Sequence, residues 1–157
     1  MKRRYAIAVT LLAAAVSTMT GCTMNELPSY DTVRGEAQGA MQRVVDELPA
    51  DLPIEKSPVD TPFGCEGDGV FYTGQWTVPT PPGFDGQNFV DGLPDALGSD
   101  FLVEETGLDL SYPSVSFIAT GYANSTLDVS VISRDEEIVV DILSTSRCAQ
   151  PPATEAP

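Results

Sequence analysis

The chain has 157 residues, 42% of them hydrophobic, and carries 8 Lys plus Arg against 23 Asp plus Glu with no histidine, a formal net charge of −15. Such a field repels nucleic acid and anionic lipid surfaces, both of which are recognised through Lys and Arg neutralising phosphate, so DNA and RNA binding are set aside. The missing histidine removes Ser-His-Asp and Cys-His nucleophiles and most zinc sites together.

At the N-terminus, Met1-Lys2-Arg3-Arg4 is a positive start, and residues 5–16 form an apolar run broken only by Thr10. Crossing roughly 30 Å of hydrocarbon takes about 20 apolar residues. This run is shorter and is followed by Ser17, Thr18 and Thr20, so it reads as a removable export signal. It ends in Met19-Thr20-Gly21-Cys22, which resembles the bacterial lipobox, with Met19 where leucine is usual. The resemblance implies cleavage after residue 21 and lipid modification of Cys22. The competing readings are an ordinary secretory signal in which Cys22 is incidental, and a buried N-terminal helix of a cytosolic protein. With Cys22 acylated, Cys65 and Cys148 remain as an even pair, as a disulfide in an exported chain requires; an ordinary signal leaves an odd thiol. Two acyl chains on one residue hold a protein on a bilayer without a spanning helix. Removal of Lys2, Arg3 and Arg4 leaves five basic against 23 acidic side chains, a mature charge of −18.

The remaining length suits one domain with two tails. Residues 1–21 are the signal, 22–29 a tether, 30–148 a single domain, and 149–157 a polar, proline-rich tail with nothing to bury. Within the domain, Val33, Ala37, Ala40, Met41, Val44, Val45 and Leu48 recur at helical spacing, which predicts a helix over 31–48. Ser29 or Asp31 can cap it and Pro49 stops it. Pro49, Pro53, Pro58 and Pro62 make the next stretch an extended connector.

Residues 70–78 alternate as a strand, with Val70, Tyr72, Gly74, Trp76 and Val78 toward a core. Phe84, Phe89, Val90, Leu93 and Leu97 predict a second helix that Gly92 and Pro94 kink or split, closed by Gly98. Residues 101–106 make a short strand. Three more strands, 114–120, 126–133 and 137–145, follow with turns at 122–125 and 134–136, an antiparallel meander with one buried face. Ile132, Val139 and Leu143 interrupt its alternation and point to a covered second face or a contact surface. The element order predicts an α+β fold, a two-layer sandwich with helices packed on one face of an antiparallel sheet.

Cys65 precedes the first strand and Cys148 follows the last, so a bridge between them would close a loop of roughly 80 residues and contribute about 4 to 5 kcal/mol. A redox-active pair lacks its close spacing. Other chemistry is thin. Lys56-Ser57 has no surrounding motif for a Ser-Lys nucleophile. Residues 64–69 are glycine-rich but precede a strand, unlike a phosphate loop. Asp60, Glu66 and Asp68 could offer calcium its oxygens, without the EF-hand pattern, against a plain turn flanking the disulfide. Glu104 with Glu105, and Asp135 with Glu136 and Glu137, are the candidate carboxylate pairs, and adjacent acids at strand ends are usually solvated. Asn124-Ser125-Thr126 matches a glycosylation pattern and reads better as a hairpin turn. Tyr72 and Trp76, on one strand face, are the candidate ligand-binding residues, weighed against simple core packing. No metal or cofactor motif is found.

The whole arrangement, with its lipobox, acidic domain and flanking cysteines, is similar to the small uncharacterised secreted lipoproteins of high-GC Gram-positive bacteria. That similarity implies attachment outside the cytoplasmic membrane and a disulfide, and brings no catalytic residues. The function expected is a non-catalytic envelope protein, anchored through Cys22, that binds or organises a protein partner. A small-ligand carrier is the alternative, needing a pocket between helices and sheet, and a carboxylate-dependent hydrolase is the third reading.

Overall fold

The structure is a computed structural model describing residues 26–57, 61–65, 67–107 and 110–152. The expected signal segment, residues 22–25 of the tether with Cys22 among them, Asp60, Glu66 and residues 153–157 lie outside the described residues. No described helix is long and apolar enough to cross a membrane.

Helix α1 spans Tyr30–Val45, and the Ser29 hydroxyl caps it by accepting the Thr32 N–H at 3.2 Å. Its buried stripe is Tyr30, Val33, Ala37, Ala40, Met41 and Val44. The spacing of three and four holds the stripe on one face, so packing outweighs the low propensity of Gly35 and Gly39. Gly39 has a second reason to be there: a Cβ would stand 2.8 Å from the Tyr122 ring, so the glycine permits a close approach.

The proline connector turns at Asp51, where φ is 66°, and pairs where the sequence predicts only a spacer; its Pro58 lies outside the described residues. Strand β1, Glu55–Lys56, and strand β2, Phe63–Gly64, both lie in it. The strand expected over 70–78 is two pieces, β3 at Val70–Phe71 and β4 at Thr73–Pro79. The break falls at Tyr72, whose N–H donates to the Ser146 hydroxyl at 2.9 Å and whose carbonyl accepts the Ser146 N–H at 2.9 Å. The chain thereby changes partners: β3 pairs with β2, and β4 enters the main sheet.

Helix α2, Gly86–Leu97, starts at an Asp85 cap and is one stretch, not two pieces. Pro94 lies inside it, deletes one N–H donor, and is carried because Val90, Leu93 and Leu97 stay buried on one face. A Cβ on Gly86 would run into Val131, so this helix start lies directly against the sheet. Strands β5 (Phe101–Glu104), β6 (Ser114–Ala119), β7 (Ser125–Arg134) and β8 (Glu137–Thr145) complete an antiparallel six-stranded sheet of order β1-β4-β8-β7-β6-β5. The fold is α+β, with a small second sheet of β2 and β3.

Register fixes the two faces. Trp76, Ile142 and Val129 are neighbours across β4, β8 and β7, as are Val78, Val140 and Val131. These residues, with Phe117, Ala119 and Leu127, form one core cluster with Ala40, Met41 and Val44 of α1 and Val90, Leu93 and Leu97 of α2. A second cluster of Tyr30, Val33, Ala37, Tyr72 and Ala149 fills the end of the molecule where α1 begins.

Ala149 corrects the sequence reading, which placed it in a polar tail. It is fully buried, exchanges two hydrogen bonds with Val70 at 2.7 and 2.9 Å, and leads to Gln150, whose N–H donates to the Pro28 carbonyl. A disulfide between Cys65 and Cys148, Cα atoms 6.1 Å apart, pins the segment one residue earlier. The ordered domain therefore runs past residue 148, and Ser29, expected in the tether, pairs with Gln150.

The β7–β8 turn is two residues, Asp135 and Glu136, both with positive φ (52° and 71°). That backbone matches the twist of a hairpin but suits Asn-Gly better than two acids. Asp135→Asn with Glu136→Gly is expected to raise the unfolding free energy by about 1 kcal/mol, read as a higher denaturant midpoint at unchanged slope. An unchanged or lower midpoint would show that the acids fit this turn already. At the β6–β7 connection a 3-10 turn, Thr120–Tyr122, precedes Ala123 and Asn124 in the left-handed region, and the Ser125 hydroxyl donates to the Tyr122 carbonyl at 2.9 Å.

Candidate functional site

Tyr72 and Trp76 are packed into the interior at 5% and 4% exposure. Trp76 belongs to the main core, and the Lys56 ammonium lies over its ring at 4.2 Å from the centroid. A cation over an indole face is attracted by the ring quadrupole, and this contact engages Lys56. Tyr72 meets Tyr30 edge-on at 6.2 Å, accepts a hydrogen bond from the Gln38 side chain at 3.2 Å, and lays its ring where a Cβ of Gly74 would be. The hollow beside these two aromatics measures about 90 Å³, too small for the 300 to 1,000 Å³ typical of small-ligand pockets.

The candidate acids are dispersed. Glu104, Glu105, Asp135, Glu136 and Glu137 are all exposed, and no described Asp or Glu is buried, so no pair of carboxylates faces inward to hold a proton. Among the described residues no group of three or more Cys, Asp or Glu is placed to bind a metal ion. The glycine-rich segment before β3 is the turn of a hairpin, with Cys65 N–H donating to the Gly69 carbonyl at 2.8 Å and Gly67 in the left-handed region. Asp68 there is exposed, while Asp60 and Glu66 of the calcium expectation lie outside the described residues.

What the residue-by-residue search missed is the outer face of the sheet. Asp141 on β8 accepts hydrogen bonds from the Gln75 side chain, at 3.0 Å to each carboxylate oxygen, and from the Thr77 hydroxyl at 2.9 Å. Asp128 on β7 accepts from the Ser116 hydroxyl on β6. These bonds cross two strand pairs, β4–β8 and β6–β7, and fix both carboxylates in place. Beside them a groove of about 440 Å³ runs between the sheet surface and the segment after β5. Asp128, Asp141, Ser130 and Leu143 form its floor, and Glu104, Leu110 and Tyr112 its rim. Leu110 and Tyr112 are large apolar side chains left exposed, as are Leu102 and Val103 on the sheet's edge strand β5.

One signal for this face was present in the sequence. Of the three residues that interrupt the meander's alternation, Ile132 and Val139 are direct partners beside Pro79 in a patch crossing β7, β8 and β4, and Leu143 is in the groove. Their companions Asp128, Ser130 and Asp141 read as ordinary solvated positions, because alternation alone cannot show that a distant segment walls them in. No protein-family model matches the chain, and neither a curated protein nor a solved structure matches it.

Proposed function

We propose that this protein is a lipid-anchored extracytoplasmic lipoprotein, held on the membrane through Cys22, that binds a protein partner without catalysis, using the outer face of its sheet. In this reading the helices and sheet make a two-layer sandwich, supported by the core cluster that α1 and α2 share with the sheet, so that one sheet face is committed to the core and the other is left for contact. The observation that carries the reading is the groove of about 440 Å³ in which fixed carboxylates stand among exposed apolar side chains. Contact surfaces combine apolar anchors with charges that steer and orient the partner. With Glu104, Asp128 and Asp141 lining the groove, the complementary partner is a cationic, partly apolar segment. A carrier needs an enclosed cavity between helices and sheet, and the residues there are packed.

The test uses a short peptide of alternating lysine and leucine as probe, with binding followed by amide chemical shifts. Shifts are expected on β6, β7 and β8 outer-face residues and on residues 104–113. Asp128→Asn with Glu104→Gln should weaken binding about three- to tenfold, as loss of steering and rim charge does. Asp91→Asn with Asp95→Asn, two exposed acids on α2, removes equal charge elsewhere and should change affinity little. Equal losses from both pairs would mean that the peptide reads only net charge, and the groove proposal would be wrong.

A further inference from the structure

The end of the molecule nearest the expected lipid site carries its own apolar surface. Cys65 donates back to Gly69, so the β2–β3 hairpin continues through the turn, and alternation puts Phe63, Cys65, Gly69 and Phe71 on one side of it. Val70, on the other side, packs against the second core cluster. The first side therefore points away from the core. Phe63 and Phe71 stack there at 5.6 Å, and Leu27 lies against it, its Cδ1 3.4 Å from where a Cβ of Gly69 would be. Phe63 is 49% and Leu27 42% exposed. Nothing described in the domain covers them, yet they sit next to the disulfide, where bridges from Ser29 to Gln150 and from Val70 to Ala149 also tie the chain.

The chain leading to this tip decides what can cover it. Five residue steps separate Leu27 from Cys22, a reach of at most about 17 Å. Acyl chains on Cys22 would hold the tip within that distance of the bilayer, turning a weak contact into an intramolecular one with a high effective concentration. Resting on the lipid-anchor reading, we infer that Leu27, Phe63 and Phe71 dock into the membrane interface and orient the domain with its disulfide end down. Phenylalanine and leucine are the side chains that amphipathic surfaces bury at the headgroup boundary. Glu26 and Asp68 flank the tip as acids, so the surface suits neutral lipid and is weakened by anionic lipid. The β7–β8 hairpin is then carried to the far end, because Ile138 and Thr145 are seven strand residues apart, about 23 Å.

The experiment uses the full acylated chain in phosphatidylcholine vesicles with brominated acyl chains, which quench tryptophan only at membrane depth. Trp76 is buried and supplies a constant background, so wild type, Phe63→Trp and Ile138→Trp isolate the tip and the far end; both replaced positions are exposed. Insertion to about 5–10 Å below the headgroups should quench the added Phe63→Trp emission at least about twofold more than that of Ile138→Trp. Adding phosphatidylglycerol should reduce the difference. Equal quenching of the two variants on a chain whose intact mass shows the acyl group overturns the docking inference alone. A mass without the acyl group overturns the anchor reading, and the inference with it.

Discussion

Replacing Cys65 and Cys148 together by serine is expected to lower the unfolding free energy by about 4 to 5 kcal/mol, because the bridge closes a loop of 83 residues in the unfolded chain. Few other single features of a domain this size approach that value, which is a large fraction of the 5–15 kcal/mol that a folded domain commands. The loss is not spread evenly. The bridge joins the β2–β3 hairpin to the segment that leaves β8, and that segment in turn pairs with Val70 and donates to Pro28 at the entrance to α1. Without it, amide exchange at Ala149 and Gln150 should accelerate before the central strands β7 and β8 are affected. Urea unfolding of the oxidised protein against the double serine variant measures the total, and a difference below about 1 kcal/mol would show that the native pairing alone closes this end.

Phe117→Ala is expected to cost about 3 to 5 kcal/mol, the range for a fully buried phenylalanine whose surroundings collapse only partly. Phe117 has no exposed surface, stands on β6 opposite Leu127, and meets Phe101 edge-on at 6.1 Å. It thus joins the short strand β5 to the rest of the sheet. Since β6 is the only sheet neighbour of the edge strand β5, the cavity should loosen that edge and the groove rim beyond it together. Equilibrium denaturation gives the magnitude. A Phe117→Leu variant, which keeps much of the volume, should recover more than half the loss, and failure to do so would assign the cost to the lost aromatic pair instead of the cavity.

Most of the fold was legible in the residues, for identifiable reasons. The stripe from Val33 to Val44 placed α1 because five buried positions share one helical face, and strand β8 is found over the predicted residues because the polar turn at residues 134–136 marks its start. The disulfide followed from Cys65 and Cys148 being the even pair left once Cys22 is read as the lipid site. Shorter pairings were not legible. Strands β1 and β2 are two residues each, β1 set by β4 further along the chain and β2 by its short hairpin with β3, and prolines that forbid a helix do not say which extended residues find a neighbour. Ala149 was missed because a small residue in a proline-rich tail carries no periodicity, and only its bonds to Val70 bury it.

The site divides the same way. Tyr72 and Trp76 attracted notice as aromatics on one strand face, and that face is the core face, so their shared position reflects packing. The outer groove joins residues from β6, β7 and β8 with a segment following β5, a long-range assembly with no local spacing. Leu143 was its only trace in the sequence, as an apolar residue on the polar side of its strand.

In the proposed reading an anchored, disulfide-tied domain presents its sheet face outside the cytoplasmic membrane. The most direct measurement is an intact mass of the protein purified from native membranes, before and after reduction. The account predicts loss of residues 1–21, a diacylglyceryl addition on Cys22, and a gain of two hydrogens on reduction of Cys65–Cys148. A chain that retains its N-terminus, carries no lipid and shows free thiols would contradict the anchor, the compartment and the staple at once.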